Sequence, residues 1–182
     1  MNSRQQSSHL PASETLTVEF KSDRKRLPDD ELVEALVCLA NTEGGEFWLG
    51  VEDDGTPTGL HETHQNLAGL PGLVAARTSP SLNVMVEAVA LAGLRVARIV
   101  VGQSVSEVAT TAGKYLRRRL KPDGSPECVA LLPHERSSRA SRLATMVAIL
   151  RPRPMSISSS ARERLPLQRA SACQIAASAL SF

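Results

Sequence analysis

One stretch decides the fold of this 182-residue chain: ETLTVEFKSDRKRLPDDELVEALVCLANTEGGEFWLGVEDDGTPTG, residues 14–59. Apolar and polar residues alternate over residues 15–21, which predicts a half-buried strand with Phe20 on its apolar side and Glu19 on its polar side. Residues 28–31, PDDE, predict a helix start, because proline and acids favour the first helical turn. A second alternating segment, residues 46–52, predicts a strand that ends in the turn formed by residues 53–55.

The pattern beyond this stretch predicts further strands and one more helix. Residues 62–76 have a helical pattern, interrupted at Pro71 and Gly72. Residues 84–90 and 94–101 predict a hairpin that turns at Gly93, and residues 113–118 predict a last short strand. The expected fold class is therefore α+β, with a single small mixed sheet, hairpins, and two packing helices.

Charge divides the chain into a body and a tail. Residues 1–135 hold 13 Lys and Arg against 18 Asp and Glu, a net charge of −5, whereas residues 136–182 hold eight arginines and one acid. We expect a disordered polar leader over residues 1–12 and a folded domain over residues 13–135. Because that body is acidic, nucleic acid could be contacted only through a local basic patch.

The tail, residues 136–182, is rich in Arg, Ser, Ala and Pro and lacks an amphipathic period. This composition predicts disorder. Two origins remain open: a natural basic tail, or a shifted reading frame.

The cysteine spacing does not indicate a zinc site, and the apolar runs do not indicate a membrane anchor. Cys38, Cys128 and Cys173 are odd in number, far apart and not in zinc spacing. Cys38 lies in an apolar helical run, where a small buried hydrophobe is expected. No secretory signal precedes residue 13, and the longest apolar run, residues 143–150, is too short to span a bilayer. We expect a cytoplasmic location without membrane partners, and the sequence leaves homo-oligomer formation open.

Four motifs occur in order: ETLTVEFK at 14–21, ANTEGG at 40–45, GVEDDG at 50–55 and GKYLR at 113–117. Together they make the chain resemble the Schlafen-type AlbA-like domain, also called the divergent AAA or DNA-binding domain, over residues 14 to 119. The resemblance implies a nucleic-acid-binding protein, with DNA favoured over RNA, of the kind found in transcriptional-regulator-like modules. It also implies an occasional ATP-binding role.

Three carboxylates carry an alternative function. In nuclease members of the family, two glutamates five residues apart and an aspartate hold a divalent metal, and Glu14, Glu19 and Asp53 match that pattern. Mg²⁺ and Mn²⁺ prefer such oxygen ligands. Lys21, on the same strand face as Glu19, would stabilise negative charge on a phosphate. The resemblance thus implies a metal-dependent endonuclease as the alternative, against a plain interpretation as an ion pair and a turn residue.

A basic cluster is the candidate nucleic-acid surface: Lys114, Tyr115, Arg117 and Arg119. On a strand, residues 115, 117 and 119 face one way and residues 114, 116 and 118 the other. Tyrosine stacking combined with arginine–phosphate contacts is typical of nucleic-acid binding. Residues 24–26 offer a second basic patch, and a solvated charge run is the plain alternative for both.

The glycine turn at residues 41–45 has two interpretations. Glycines there can cap the helix, or they can expose backbone N–H groups that cradle a phosphate. A P-loop is excluded, because Val51 follows Gly50 where lysine is needed.

Overall fold

The structure is a computed structural model that describes residues 9–136. Residues 1–8 and 137–182 lie outside the described residues. The expectations of a disordered leader and a disordered or frame-shifted tail therefore fall almost entirely outside them.

Residues 9–136 form eight strands and two α-helices, together with two 3-10 turns at Glu62–His64 and Leu67–Gly69. In chain order they are β1 (Val18–Lys21), α1 (Asp29–Ala40), β2 (Gly44–Leu49), α2 (Leu70–Ala76), β3 (Thr78–Ser79), β4 (Val84–Leu91), β5 (Leu94–Gly102), β6 (Ala109–Thr110), β7 (Leu116–Leu120) and β8 (Pro126–Ala130).

The main sheet has the strand order β1-β2-β5-β4. The first two strands are parallel, with Glu19 opposite Phe47, and α1 crosses between them. β5 is antiparallel to both β2 and β4. The turn between β4 and β5 has positive φ at Ala92 (49°) and Gly93 (78°), as tight hairpin turns require.

The remaining strands form two smaller sheets, β3 with β6 and β7 with β8. The mixed α+β fold is confirmed, although its strands are divided among three sheets rather than joined in one. The predicted last strand begins at Leu116 instead of residue 113, because Gly113 (φ 82°) lies in the turn before it. Its partner β8 was not predicted, because this short segment has no alternating pattern.

The second helix is interrupted, as predicted, but ahead of the proline. The two 3-10 turns precede α2, and Pro71 lies in the first turn of the helix. Proline is tolerated there because the first N–H groups of a helix have no intrahelical acceptor.

Both faces of the main sheet are covered. The larger core lies on the α1 side and includes Leu36, Phe47 and Ile99. The smaller core, on the other side, contains Phe20, Trp48, Val51, Val89 and Val96. β1 is therefore not the half-buried strand that its alternation predicts, since Glu19, on its polar side, is only 9% exposed.

The expected role of Cys38 is wrong in one respect. The residue is fully buried on α1, as predicted, but it forms a disulfide with Cys128 of β8, with 6.0 Å between the two Cα atoms. Ninety residues separate the two cysteines, so spacing gave no signal. Cys173 lies outside the described residues.

Within residues 9–136, no helix has both the length and the apolar character needed to cross a membrane.

Candidate functional site

An acidic cavity of about 400 Å³ opens beside α1 and the β7–β8 hairpin. Six carboxylates and two lysines contribute to its lining. The lining residues are Glu14, Glu19, Lys21, Glu31, Glu34, Ala35, Asp53, Lys121, Pro126, Glu127 and Cys128. Because the acids outnumber the lysines, the cavity concentrates negative charge.

All four residues predicted as catalytic line this cavity: Glu14, Glu19, Lys21 and Asp53. The parallel pairing of β1 with β2 explains the convergence. β1 ends beside the end of β2, where the N–H of Gly50 donates to the carbonyl of Lys21 at 2.8 Å, and Asp53 follows shortly after. Glu14, which precedes β1, is held against this strand because its Oε1 accepts a hydrogen bond from the Phe20 N–H at 2.9 Å.

Glu19 is paired with two cations. Its Oε1 lies 2.7 Å from Lys21 Nζ, and its Oε2 accepts a hydrogen bond from Arg118. The Arg118 side chain is 1% exposed and also donates to the carbonyl of Val18 at 3.2 Å. Burial lowers the pKa of the Arg118 guanidinium, and the negative charge of Glu14 opposes that effect.

No role was predicted for Arg118 from the sequence. Its position between Arg117 and Arg119 was the available signal, since strand alternation turns it away from its neighbours. A basic residue that faces the body of the domain needs a buried acid, and Glu19 supplies it.

Two of the three predicted metal ligands are already held by other groups of the protein. Both oxygens of Glu19 are taken by cations, and one oxygen of Glu14 is held by the backbone. Across residues 9–136, no three His, Cys, Asp or Glu side chains are grouped closely enough to hold an ion. The described geometry is that of an ion-paired carboxylate cluster.

Each basic residue of the predicted nucleic-acid surface has a partner near the hairpin. Lys114 Nζ lies 2.5 Å from Glu34 Oε1, and this hydrogen bond raises the pKa of the lysine. Arg119 Nε lies 2.7 Å from Glu127, across the β7–β8 pair. Arg117 pairs with Glu135, while the guanidinium of Arg136 stacks 3.6 Å from the ring of Tyr115. The Lys114 and Arg119 side chains remain 55% exposed.

The second basic patch lies in the loop after β1. Arg24 pairs with Glu52 at 3.2 Å and Arg26 with Asp29 at 2.6 Å, whereas Lys25 is exposed. The fully buried carboxylate of Asp23 anchors the loop by accepting hydrogen bonds from the backbone N–H groups of Leu27 and His61 and contacting the ring of His64. Asp23 therefore fixes the loop that carries this second patch, which does not belong to the basic cluster of the hairpin.

The two glycines, Gly44 and Gly45, have a structural role in the backbone. Gly44 and Gly45 have positive φ, 76° and 139°, and a Cβ on Gly45 would collide with the carbonyl of Thr17. That carbonyl accepts the N–H of Glu46 at 2.8 Å. The pair thus allows the chain before β1 to approach β2 closely.

Asn41 and Thr42 tie α1 to the hairpin. The Asn41 amide nitrogen donates to the carbonyls of Val108 (2.7 Å) and Leu116 (2.9 Å), and its oxygen accepts from the N–H of Val108 (2.8 Å). Thr42 Oγ1 accepts from the N–H of Arg118 at 2.8 Å. The motif predicted as a turn is therefore also the attachment point of β7.

The chain is similar to solved structures at low sequence identity. A solved structure of the DIP2311 protein from Corynebacterium diphtheriae matches with a TM-score of 0.50 and 21% identity, over 64% of this chain and 22% of that one. The chain thus spans less than a quarter of that protein. The N-terminal domain of a Nitrosomonas europaea protein, described as related to the ATP-dependent DNA helicase RecG, matches with a TM-score of 0.45 and 19% identity, over 66% and 88%. No curated protein matches the chain.

The family model described as Schlafen, AlbA_2 matches residues 14–123, which is more than half of the chain. These residues include β1 and α1, which form one wall of the acidic cavity, and also the glycine pair and β7. The chain belongs to the Schlafen AlbA_2 family.

Proposed function

We propose that this domain binds nucleic acid, with DNA as the expected ligand, through the outer face of β7. The observation that carries the proposal is the division of the arginine run. Arg118 is buried against Glu19, whereas Arg117 and Arg119 lie on the other side of the strand, with side chains 31% and 55% exposed. Membership of the AlbA_2 family supports the same function.

The ion pairs on this face leave its charges available to a phosphate. An exposed pair such as Arg119–Glu127 contributes about 0–1 kcal/mol. Arginine forms bidentate, charge-assisted hydrogen bonds with phosphate, which exchange readily for such a weak pair. Tyr115, two residues before Arg117, adds an aromatic ring on which a base can stack if it displaces the Arg136 guanidinium, which lies 3.6 Å from the ring.

A regulatory role is the form of this function that we propose, because the family resemblance of the chain is to modules of that kind. Transcriptional control through DNA binding would suit it. Binding to RNA is the outcome that would redirect the proposal.

The test compares two double variants of equal charge change. Arg117→Ala/Arg119→Ala removes the β7 face, and Arg24→Ala/Lys25→Ala removes two charges from the loop after β1. Binding to labelled DNA and RNA is measured by anisotropy over a salt series, with the thermal midpoint as a folding control. We expect the β7 variant to weaken DNA binding at least about tenfold and to lower the salt slope by about two, since two phosphate contacts are lost.

The loop variant should bind nearly as tightly as the unmodified chain. Equal losses in both variants would mean that only net charge matters. Affinity independent of salt, or unchanged in the β7 variant, would refute the proposal.

Nucleic-acid cleavage is the second candidate, favoured by the convergence of Glu14, Glu19 and Asp53 on one cavity. The ion pairs of Glu19 weigh against it, because they must open before that carboxylate can bind a divalent ion. Labelled DNA and RNA incubated with the chain in Mn²⁺ or EDTA provide the test. Cleavage in Mn²⁺ that Asp53→Asn abolishes, with binding retained, would establish it, and intact substrate in every lane would remove it.

A further inference from the structure

We propose that Cys38 and Cys128 form a redox modification site, at which a thiol reductant releases one wall of the acidic cavity. The two residues form a disulfide between α1 and β8. Disulfides in reducing compartments are usually transient and redox-sensing, whereas in oxidising ones they are structural. The position of this one, at the cavity, suits the first role.

Exposure determines where the reductant attacks. Cys128 is exposed and lines the cavity, whereas Cys38 is fully buried among the apolar side chains of α1. Thiol–disulfide exchange requires direct approach of a thiolate to one sulfur. Because Cys128 is the exposed residue of the pair and lines the cavity, its sulfur is the expected point of attack.

The reaction consumes two thiols. A thiolate attacks Cys128 Sγ, the bond to Cys38 Sγ breaks, and the Cys38 thiolate takes up a proton. A second thiolate then attacks the reductant's sulfur in the mixed disulfide and releases Cys128 as a thiol. The protein disulfide gains two electrons and two protons, and two molecules of a monothiol, or one dithiol, become a disulfide.

Among the hydrogen bonds, ion pairs and disulfides of residues 9–136, the Cys38–Cys128 bond is what attaches β8 to the domain outside its hairpin with β7. In the part of the chain that the structure describes, β8 pairs with β7 and with no other strand. Among the hydrogen bonds and ion pairs of residues 9–136, those made by residues 121–130 stay within the hairpin, for example Lys121 with Ser125 and Glu127 with Arg119. β7, by contrast, is held by Asn41, Thr42 and Glu19.

Reduction should therefore free β8 and the hairpin tip from α1, so that they are held only through their pairing with β7, while β7 stays in place. Four cavity-lining residues belong to the part that is released: Lys121, Pro126, Glu127 and Cys128. The opposite wall, on β1 and α1, belongs to the packed core. The oxidised form keeps the cavity narrow, and the reduced form opens it to larger molecules.

Two measurements on the full chain test this site. After mild oxidation, a non-reducing peptide map should contain Cys38 and Cys128 in one linked peptide that a dithiol reductant separates. Hydrogen exchange should then become at least about tenfold faster at residues 121–130 after reduction, with little change in β2 and β5, because only the hairpin gains freedom to open. Binding of nucleic acid does not enter either readout.

Matched variants separate the bond from its surroundings. Cys128→Ser should exchange rapidly at residues 121–130 whether or not reductant is present, and Cys173→Ser should behave like the unmodified chain. A map without the linked peptide after oxidation would overturn the proposal. Equal exchange at residues 121–130 in the oxidised and reduced chain would do so too.

Discussion

Replacing Arg118 with methionine should strongly destabilise the domain. The Arg118 side chain is 1% exposed and that of its partner Glu19 is 12% exposed. Methionine fills most of the space of the arginine stem but leaves the Glu19 carboxylate without its buried cation. Breaking a buried pair by removing one member costs about 3–5 kcal/mol, because the remaining charge is left desolvated.

The expected cost lies at the lower end of that range. Lys21 Nζ remains 2.7 Å from the other oxygen of Glu19 and keeps part of its charge compensated. We therefore expect Arg118→Met to lower the free energy of unfolding by about 3 kcal/mol. The neighbouring Arg119→Met is the matched control. Its pair with Glu127 is more exposed, 55% and 28%, and should cost about 0–1 kcal/mol.

Urea unfolding followed by Trp48 fluorescence measures both variants under oxidising conditions, which hold the disulfide constant. Adding Glu19→Gln to Arg118→Met should restore part of the loss, since a neutral amide needs no buried cation. If Arg118→Met costs no more than Arg119→Met, the two arginines are equally solvated. In that case the buried ion pair is not a stabilising part of the fold.

Three further expectations concern other parts of the domain. The hydrogen bond from Arg98 lowers the pKa of Glu46 below its ordinary 4.5, so the stabilisation by this pair is present above pH 4.5 and is lost as the pH falls through the lowered value. The difference in free energy of unfolding between the unmodified chain and Arg98→Met, measured by urea titration, should therefore become smaller below pH 4.5. Gly45→Ala should lower the free energy of unfolding by more than about 2 kcal/mol, whereas Gly72→Ala, in α2 with open space around it, should raise it by up to about 1 kcal/mol. Equal losses of stability in thermal unfolding of the two variants would contradict this. Truncation after Arg136 should leave the thermal midpoint within about 2 °C, because the composition of residues 137–182 offers no periodic apolar face to bury, and a large drop would show that they pack.

Local patterns in the sequence predict the central elements well. The alternation before Lys21, the acidic start of α1 and the turn at Gly93 each act within a few residues, and the structure places a strand, a helix and a hairpin there. The convergence of Glu19 and Asp53 was also predictable, since it needs only that the strands on either side of α1 be neighbours.

Long-range contacts account for what was missed. The partner of Glu19 is Arg118, 99 residues away, and the partner of Cys38 is Cys128, 90 residues away. Neither pairing leaves a periodic trace in the sequence. The small sheets were missed for a related reason: β3 and β6 have two residues each, so tertiary contacts rather than local pattern define them.

The attachment of β7 to Asn41 and Thr42 affects how mutational scans of this domain are interpreted. These two residues lie in its most recognisable motif, so a scan that finds them essential for ligand binding would seem to identify ligand contacts. Asn41 is nonetheless only 3% exposed, and its amide nitrogen donates hydrogen bonds to the carbonyls of Val108 and Leu116. Its loss would shift the strand that presents Arg117 and Arg119, and affinity would fall although no ligand had touched the amide. Sensitivity at residues 41 and 42 thus measures the placement of a binding surface that lies elsewhere.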